Sequence, residues 1–161
     1  MPSIRRATEA DAKPILDLRC ASIRAFGTER YHEEQVERWA AHPFGSAPYL
    51  ESIRNESESV AVAEGNGELA GFGRVELDTG VVSAVYVHPD YARNGVGSAL
   101  LSHLESVARD AGVDSLTLHA SLNAVPFYEE HGYERVSTVT HEVTGGVELA
   151  CVEMRRDISV E

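Results

Sequence analysis

The stretch VYVHPDYARNGVGSALLSHL, Val85 to Leu104, decides how the rest of the chain is read. Apolar Val85 and Val87 alternate as in a strand, Pro89 begins a turn, and Gly95 and Gly97 stand where an amphipathic helix starts. Glycine lets backbone approach a ligand closely, and the N–H groups of a first helical turn have no intrahelical partner. An anion, a pyrophosphate above all, suits such a turn. Arg93 adds a positive charge beside it. The bland alternative is a glycine-softened turn with no ligand.

Elimination narrows the anion. A Walker A loop needs a lysine before its serine, and here Gly97 precedes Ser98 directly. A dinucleotide fingerprint needs a third small residue three positions after Gly97, where this chain has Leu100.

Working outward, SIRRAT, Ser3 to Thr8, reads as a short strand, followed by helix-start chemistry in Thr8 and Asp11; Pro14 favours Asp11 as the cap of a helix that buries Ile15, Leu18, Cys20 and Ile23 and ends near Phe26-Gly27. A second helix sets Val36, Trp39 and Ala40 on one side, and Pro43, Gly45 and Pro48 interrupt it. SVAVAE, LAGFGRVEL and VVSAVYV, separated by GNG and DTG turns, form a strand meander. The helix after Gly95 carries Val96, Leu100, Leu104, Val107 and Ala111 on its apolar face and stops at Gly112, with His103 and Glu105 on a solvated face. A strand (SLTLHA), a short helix (AVPFYEEHG) and two closing strands follow, and DISVE at the end reads as a loose tail. Strands cluster early and helices interrupt later, which predicts an α+β fold with a mixed sheet and flanking helices.

The pattern V-x-V-x-P, then x-G-x-G and a helix, resembles motif A of the GCN5-related N-acetyltransferases. SLNAVPFYEEHGYERV resembles that family's motif B, an aromatic-tyrosine pair on a helix ending at glycine-aromatic, here Gly132-Tyr133. The two motifs stand in the family's order, and the resemblance covers about residues 3–156 of a single domain spanning 1–161. It implies a mostly antiparallel mixed sheet with a parallel strand pair splayed to admit acetyl-CoA as cosubstrate. In that reading Val85, Tyr86 and Val87 pair with the pantetheine arm, with SLTLHA as the opposite strand. Arg93, Asn94, Gly95, Val96, Gly97 and Ser98 wrap the pyrophosphate, and Tyr128 protonates the departing thiolate. The polar residue of the family's Q/R-x-x-G-x-G form is replaced by Ala92, with Arg93 as its neighbour. The asparagine often found seven residues before the tyrosine is Ser121 here; Asn123 reads either as a coenzyme contact or as a helix cap.

The implied activity is N-acetyl transfer by direct attack of an amine on the thioester; the alternative is a catalytically silent acyl-CoA-binding regulatory module. Glu34, Glu76, Asp78 and His88 are candidate bases, and Tyr31, His32 and Trp39 a candidate acceptor pocket. The acceptor, a small molecule or a peptide, and a second copy of the chain are the partners left open.

Charge sets further limits. Asp and Glu number 26 against 14 Lys and Arg, a formal charge of -12, and Lys13 is the only lysine. Nucleic-acid binding needs a basic footprint and is not expected. The acids suit either solubility in a high-salt cytoplasm, as in halophilic-type proteins, or attraction of a cationic acceptor. No apolar run approaches the roughly 20 residues of a membrane span, and the N-terminus lacks a signal-peptide core, so a cytoplasmic protein is expected. The seven histidines show no HExxH spacing and Cys20 and Cys151 no CxxC, so no metal is expected and the cysteines read as core.

Overall fold

Alternating apolar residues in the meander form three antiparallel strands, β2 (Glu58–Gly65), β3 (Glu68–Glu76) and β4 (Val81–Val87). Asn66 and Gly67, both at positive φ, close the first hairpin, as a tight turn between right-twisted strands requires. The computed structural model describes residues 3–41 and 43–159. Its remaining strands are β1 (Ser3–Arg6), β5 (Ser115–Ser121), β6 (Glu134–Glu142) and β7 (Glu148–Asp157), and the seven lie in the order β1-β2-β3-β4-β5-β7-β6. All neighbours are antiparallel except β4 and β5. The fold class is therefore the expected one.

Helix α4 (Val96–Asp110) covers one face of the sheet. Leu100, Leu104 and Ala108 are fully buried there with Leu116, Leu118 and Met154. Helix α5 (Val125–Glu130) joins the same layer through Val125 and Tyr128. The other face carries α1 (Ala12–Phe26), α2 (Glu33–Ala40) and α3 (Ala47–Arg54), which bury Ile15, Leu18, Ile23, Val36 and Ala40 against Val60, Val62, Phe72, Leu149 and Cys151. Cys20 and Cys151 are buried, as expected of core residues.

The expected helix start holds: Asp11 is the N-cap of α1, and Thr8 caps a 3₁₀ turn over Glu9–Asp11 just before it. The Asp11 carboxylate accepts the Thr8 N–H (2.7 Å) and pairs with Arg5 (2.7 Å). Three other expectations need correction. The segment after Pro43 contains α3, because Pro48 occupies a first turn, where a missing N–H costs nothing. On α4 the buried stripe runs through Leu101, Glu105 and Ala108, leaving Ala111 exposed. Glu105, expected in solvent, accepts hydrogen bonds from Tyr133 Oη (2.9 Å) and Arg156 Nη1 (2.8 Å) inside the core. Lastly, DISVE is tied down: Asp157 ends β7, Ile158 is buried, and Ile158 N–H donates to the Asp114 carbonyl (2.9 Å). Val160 and Glu161 of that stretch lie outside the described residues.

Candidate active site

The parallel pair is where the sheet opens. β4 and β5 share one register pair, Val81↔Thr117, held by Thr117 N–H donating to the Gly80 carbonyl (2.9 Å), whereas β5 and β7 pair continuously from Ser115↔Asp157 to Ser121↔Cys151. A bulge lies beside the opening. Arg74 of β3 pairs with Ala84 and Val75 with Val82, which leaves Ser83 as an extra residue on β4. Bulges bend the strand that carries them and increase its twist. Ser83 Oγ is held by Arg74 Nε (2.7 Å), and β4 leaves β5 beyond this point.

Two connected clefts occupy the gap. The narrower, about 280 Å³, lies between Val82–Tyr86 on one side and Leu118–Ser121 on the other, with Tyr128 in its wall. The wider, about 500 Å³, runs on past Val85, Tyr86 and Val87 to the start of α4, where Arg93, Gly95, Val96, Gly97 and Ser98 line it. Trp39, Val85, Tyr86, Ser121 and Ala124 border both.

At the wide end, Gly95 caps α4 with φ +80, a conformation costly for other residues, and Arg93 also has positive φ. The first helical bond is Ala99 N–H to the Gly95 carbonyl, so the amides of Val96, Gly97 and Ser98 are free of intrahelical bonds. A Cβ at Gly97 would meet the Phe127 ring at 3.3 Å, so this glycine also permits the close packing of α4 on α5. Ser98 Oγ lies 2.9 Å from His131 Nε2, and His131 Nδ1 lies 2.8 Å from the Phe127 carbonyl. Because a carbonyl only accepts, Nδ1 carries the proton, and in the neutral ring Nε2 accepts from the Ser98 hydroxyl. Arg93 is the one cation lining this cleft among the described residues, beside two carboxylates, Glu29 and Glu130. Asn94 is exposed and outside the lining.

Two polar groups between the ends make no hydrogen bond to another described residue. Asn123 lines the wide cleft with its Oδ1 buried and unbonded, while the cap residue of α5 is Ala124, so the capping reading of Asn123 does not apply. Tyr128 is buried, and burial pushes its hydroxyl well above the ordinary tyrosine range. Its hydroxyl makes no hydrogen bond to another described residue, in contrast to Tyr31. Tyr31 Oη donates to the Ala150 carbonyl (2.6 Å) and accepts from Leu122 N–H (3.0 Å). Tyr31, expected in an acceptor pocket, is thus a buried tie between β7 and the loop after β5.

His32 stands exposed at the cap of α2, and of the expected trio only Trp39 reaches the clefts. The candidate bases Glu34, Glu76, Asp78 and His88 line neither. His88 instead accepts from Asp90 N–H (3.1 Å). Residues the sequence reading missed are Arg19, His119, His141 and Cys151, all lining the narrow cleft. Arg19 Nη2 donates to the Trp39 carbonyl (3.2 Å), and its guanidinium lies 5.9 Å from the Tyr86 ring centre. Alternation could have put His119 opposite Leu118 and Ala120; nothing local pairs it with His141. Among the described residues no group of three or more His, Cys, Asp or Glu is set to hold a metal, and no helix is long and apolar enough to cross a membrane. His42 lies outside the described residues.

The family model for an acetyltransferase (GNAT) domain matches residues 28–155. An uncharacterized N-acetyltransferase of Bacillus subtilis is 34% identical over 89 residues, 55% of this chain and 64% of that protein. The structure of a GCN5-related N-acetyltransferase, "Aminotransferase, Class-II", from Rhodopseudomonas palustris superposes with a TM-score of 0.86 at 30% identity, covering 98% of this chain and 96% of that one. PaiA N-acetyltransferase from Thermoplasma acidophilum, solved in complex with coenzyme A, has a TM-score of 0.76 at 18% identity, covering 98% and 99%.

Proposed function

The chain belongs to the acetyltransferase (GNAT) domain family, and on that premise we propose that it transfers the acetyl group of acetyl-CoA to an amine by direct attack on the thioester. The observation that carries this reading is the unzipped β4–β5 pair, whose single register pair leaves strand edges facing a cleft that ends at unbonded helix amides. An extended amide chain such as pantetheine can add to an open strand edge by main-chain hydrogen bonds. The pyrophosphate then meets the Val96, Gly97 and Ser98 N–H groups and the helix dipole, with Arg93 as the nearby cation. Coenzyme A in the Thermoplasma relative supports the ligand class.

In this proposal Val85, Tyr86 and Val87 pair with the pantetheine arm, and Asn123 Oδ1 accepts a donor from it. A buried acceptor without a donor costs about 1–3 kcal/mol, so a ligand N–H there recovers a penalty already present in the fold. Tyr128 faces the thioester from the narrow cleft. Its raised pKa keeps the hydroxyl protonated, and full transfer to a thiolate, whose acid has an ordinary pKa of about 8.5, is uphill. Its part is a hydrogen bond to sulfur as charge develops there.

Direct attack is favoured over a covalent acyl-cysteine route by the state of Cys151, the cysteine lining the narrow cleft. Burial pushes its thiol up, which depletes the thiolate that such a route needs. The acceptor amine enters over Trp39 and Arg19. Free-thiol release from acetyl-CoA, measured across small amines and peptide α- and ε-amines, tests the proposal. Release dependent on one acceptor class supports it. Acetyl-CoA binding with no release for any acceptor overturns transfer and leaves an acyl-CoA-binding module.

A further inference from the structure

We infer that His119 and His141, acting as one proton-sharing couple at the narrow end of the cleft, take the proton given up by the acceptor amine. The inference rests on the acetyl-transfer reading above and assigns the base that reading leaves open.

Elimination gives the first argument. Among the described residues no Asp or Glu lines the narrow cleft, and its titratable residues are Arg19, Tyr86, His119, Tyr128, His141 and Cys151. Arginine does not deprotonate in proteins, and the Tyr128 and Cys151 protons are held by burial. Imidazole alone offers a basic lone pair there at neutral pH.

Geometry gives the second. His119 lies on β5 directly across from Glu153 of β7, and His141 comes from the end of β6, 22 residues further along the chain. The rings meet edge to face, 4.7 Å between centres and 72° between planes, with His119 Nδ1 and His141 Nε2 in hydrogen-bond contact. Two facing imidazole nitrogens bond only when one carries the hydrogen. In the neutral couple one outer nitrogen is therefore a free acceptor. Glu153 Oε1 stands 3.9 Å from His119 Nε2, which favours a hydrogen on that atom and leaves the lone pair on His141 Nδ1.

Charges around the couple set its working range. Glu153 from β7 stands 3.9 Å from His119 Nε2, and Arg19 from α1 lines the same cleft. Tyr86 from β4, Tyr128 from α5 and Cys151 from β7 complete the titratable lining. Burial, and secondarily His119, lower the pKa of His141 below 6.5, so its ring is neutral at pH 7 and ready to accept.

The step balances. The amine lone pair forms the C–N bond, and the C–S bond breaks with its electron pair on sulfur. The amine proton moves to His141, and sulfur leaves as thiolate, hydrogen-bonded by the Tyr128 hydroxyl. The couple returns its proton to water, the thiolate takes one from water, and the sum is amide plus thiol.

The test is the pH profile of kcat/KM for the acceptor found by thiol release, in the unaltered protein and in His141→Gln, His119→Gln and Glu153→Gln. We expect about a hundredfold loss for His141→Gln at pH 7, within the range usual for general bases, with loss of the acidic limb and unchanged acetyl-CoA affinity by calorimetry. Added imidazole should restore part of the rate in His141→Ala. Glu153→Gln should move the acidic limb to lower pH, since the negative charge that favours protonation is gone. Independently of turnover, the two imidazole NMR signals should titrate together, and His141→Gln should shift the His119 midpoint. Transfer by the unaltered protein with all variants within twofold and their profiles unmoved overturns the couple while acetyl transfer stands. Independent titration of the two rings also overturns it, and no thiol release by the unaltered protein overturns both readings.

Discussion

Tyr128 and Tyr133 are five residues apart, both buried, with ring centres 5.7 Å apart, yet their hydroxyls have opposite surroundings. Tyr133 donates to Glu105, which Arg156 pairs from the other side, so this polar cluster under α4 is complete within the protein. Tyr128 lines the narrow cleft and Asn123 the wide one, and neither the Tyr128 hydroxyl nor the buried Asn123 Oδ1 bonds to another described residue. A satisfied buried network specifies the fold, while an unsatisfied group invites a ligand to complete it. The same contrast holds for the sheet, paired throughout at β5–β7 and unpaired beyond Val81 at β4–β5.

The strongest way to break this contrast is to remove each hydroxyl in turn. Tyr128→Phe should lower turnover about a hundredfold, the scale of general acid catalysis, with little change in acetyl-CoA affinity or melting temperature. Tyr133→Phe should leave turnover nearly intact and lower stability by about 1–3 kcal/mol, because it strips a donor from a buried carboxylate. Equal loss of turnover in both variants would erase the distinction.

Arg156→Met sharpens the structural side. It leaves Glu105 buried with Tyr133 as its remaining donor, and about 2 kcal/mol of unfolding free energy should be lost in urea melts, with acetyl-CoA affinity unchanged. Gly97→Asp probes the ligand side, placing a negative charge against the proposed pyrophosphate site. Calorimetry should show affinity falling at least tenfold, with Gly97→Ala as the control for crowding against Phe127. Asn123→Ala should weaken acetyl-CoA by about 1 kcal/mol without lowering the melting temperature of the free protein, since its Oδ1 makes no bond to lose. A stability loss there would show a structural role.

The smallest effect concerns neither cluster but the acidic surface outside both. With a formal charge of -12, melting temperature should rise by a few degrees between low and molar KCl as repulsion is screened, roughly to a 3 Å Debye length. A flat or falling trend would favour the acids as a device for attracting a cationic acceptor.

What could be read in the sequence was local. Gly95 and Gly97 before an amphipathic run announce a helix start with free amides, since backbone conformation and first-turn valence depend on neighbours a few residues away. The strand meander, α4 and the short α5 follow from periodicities of two and of three to four, and the order of the two motifs carried the family. The missed helix α3 has a local reason too: Pro43, Gly45 and Pro48 read as breakers, although Pro48 sits where a helix tolerates it.

Tertiary structure decided the rest. Whether Glu105 faces water or Arg156, whether Ile158 dangles or packs, and whether Tyr31 binds an acceptor or ties β7 in place depend on partners 28 to 119 residues away. β4 parts from β5 close to the Ser83 bulge, a mismatch of two strands that neither strand shows alone. His119 and His141 became one group because β5 and β6 flank β7 in the sheet. Periodicity tells which side of an element is apolar, but the burial and charge of a polar residue are set by what packs opposite it, and that neighbour is chosen only when the whole sheet has assembled.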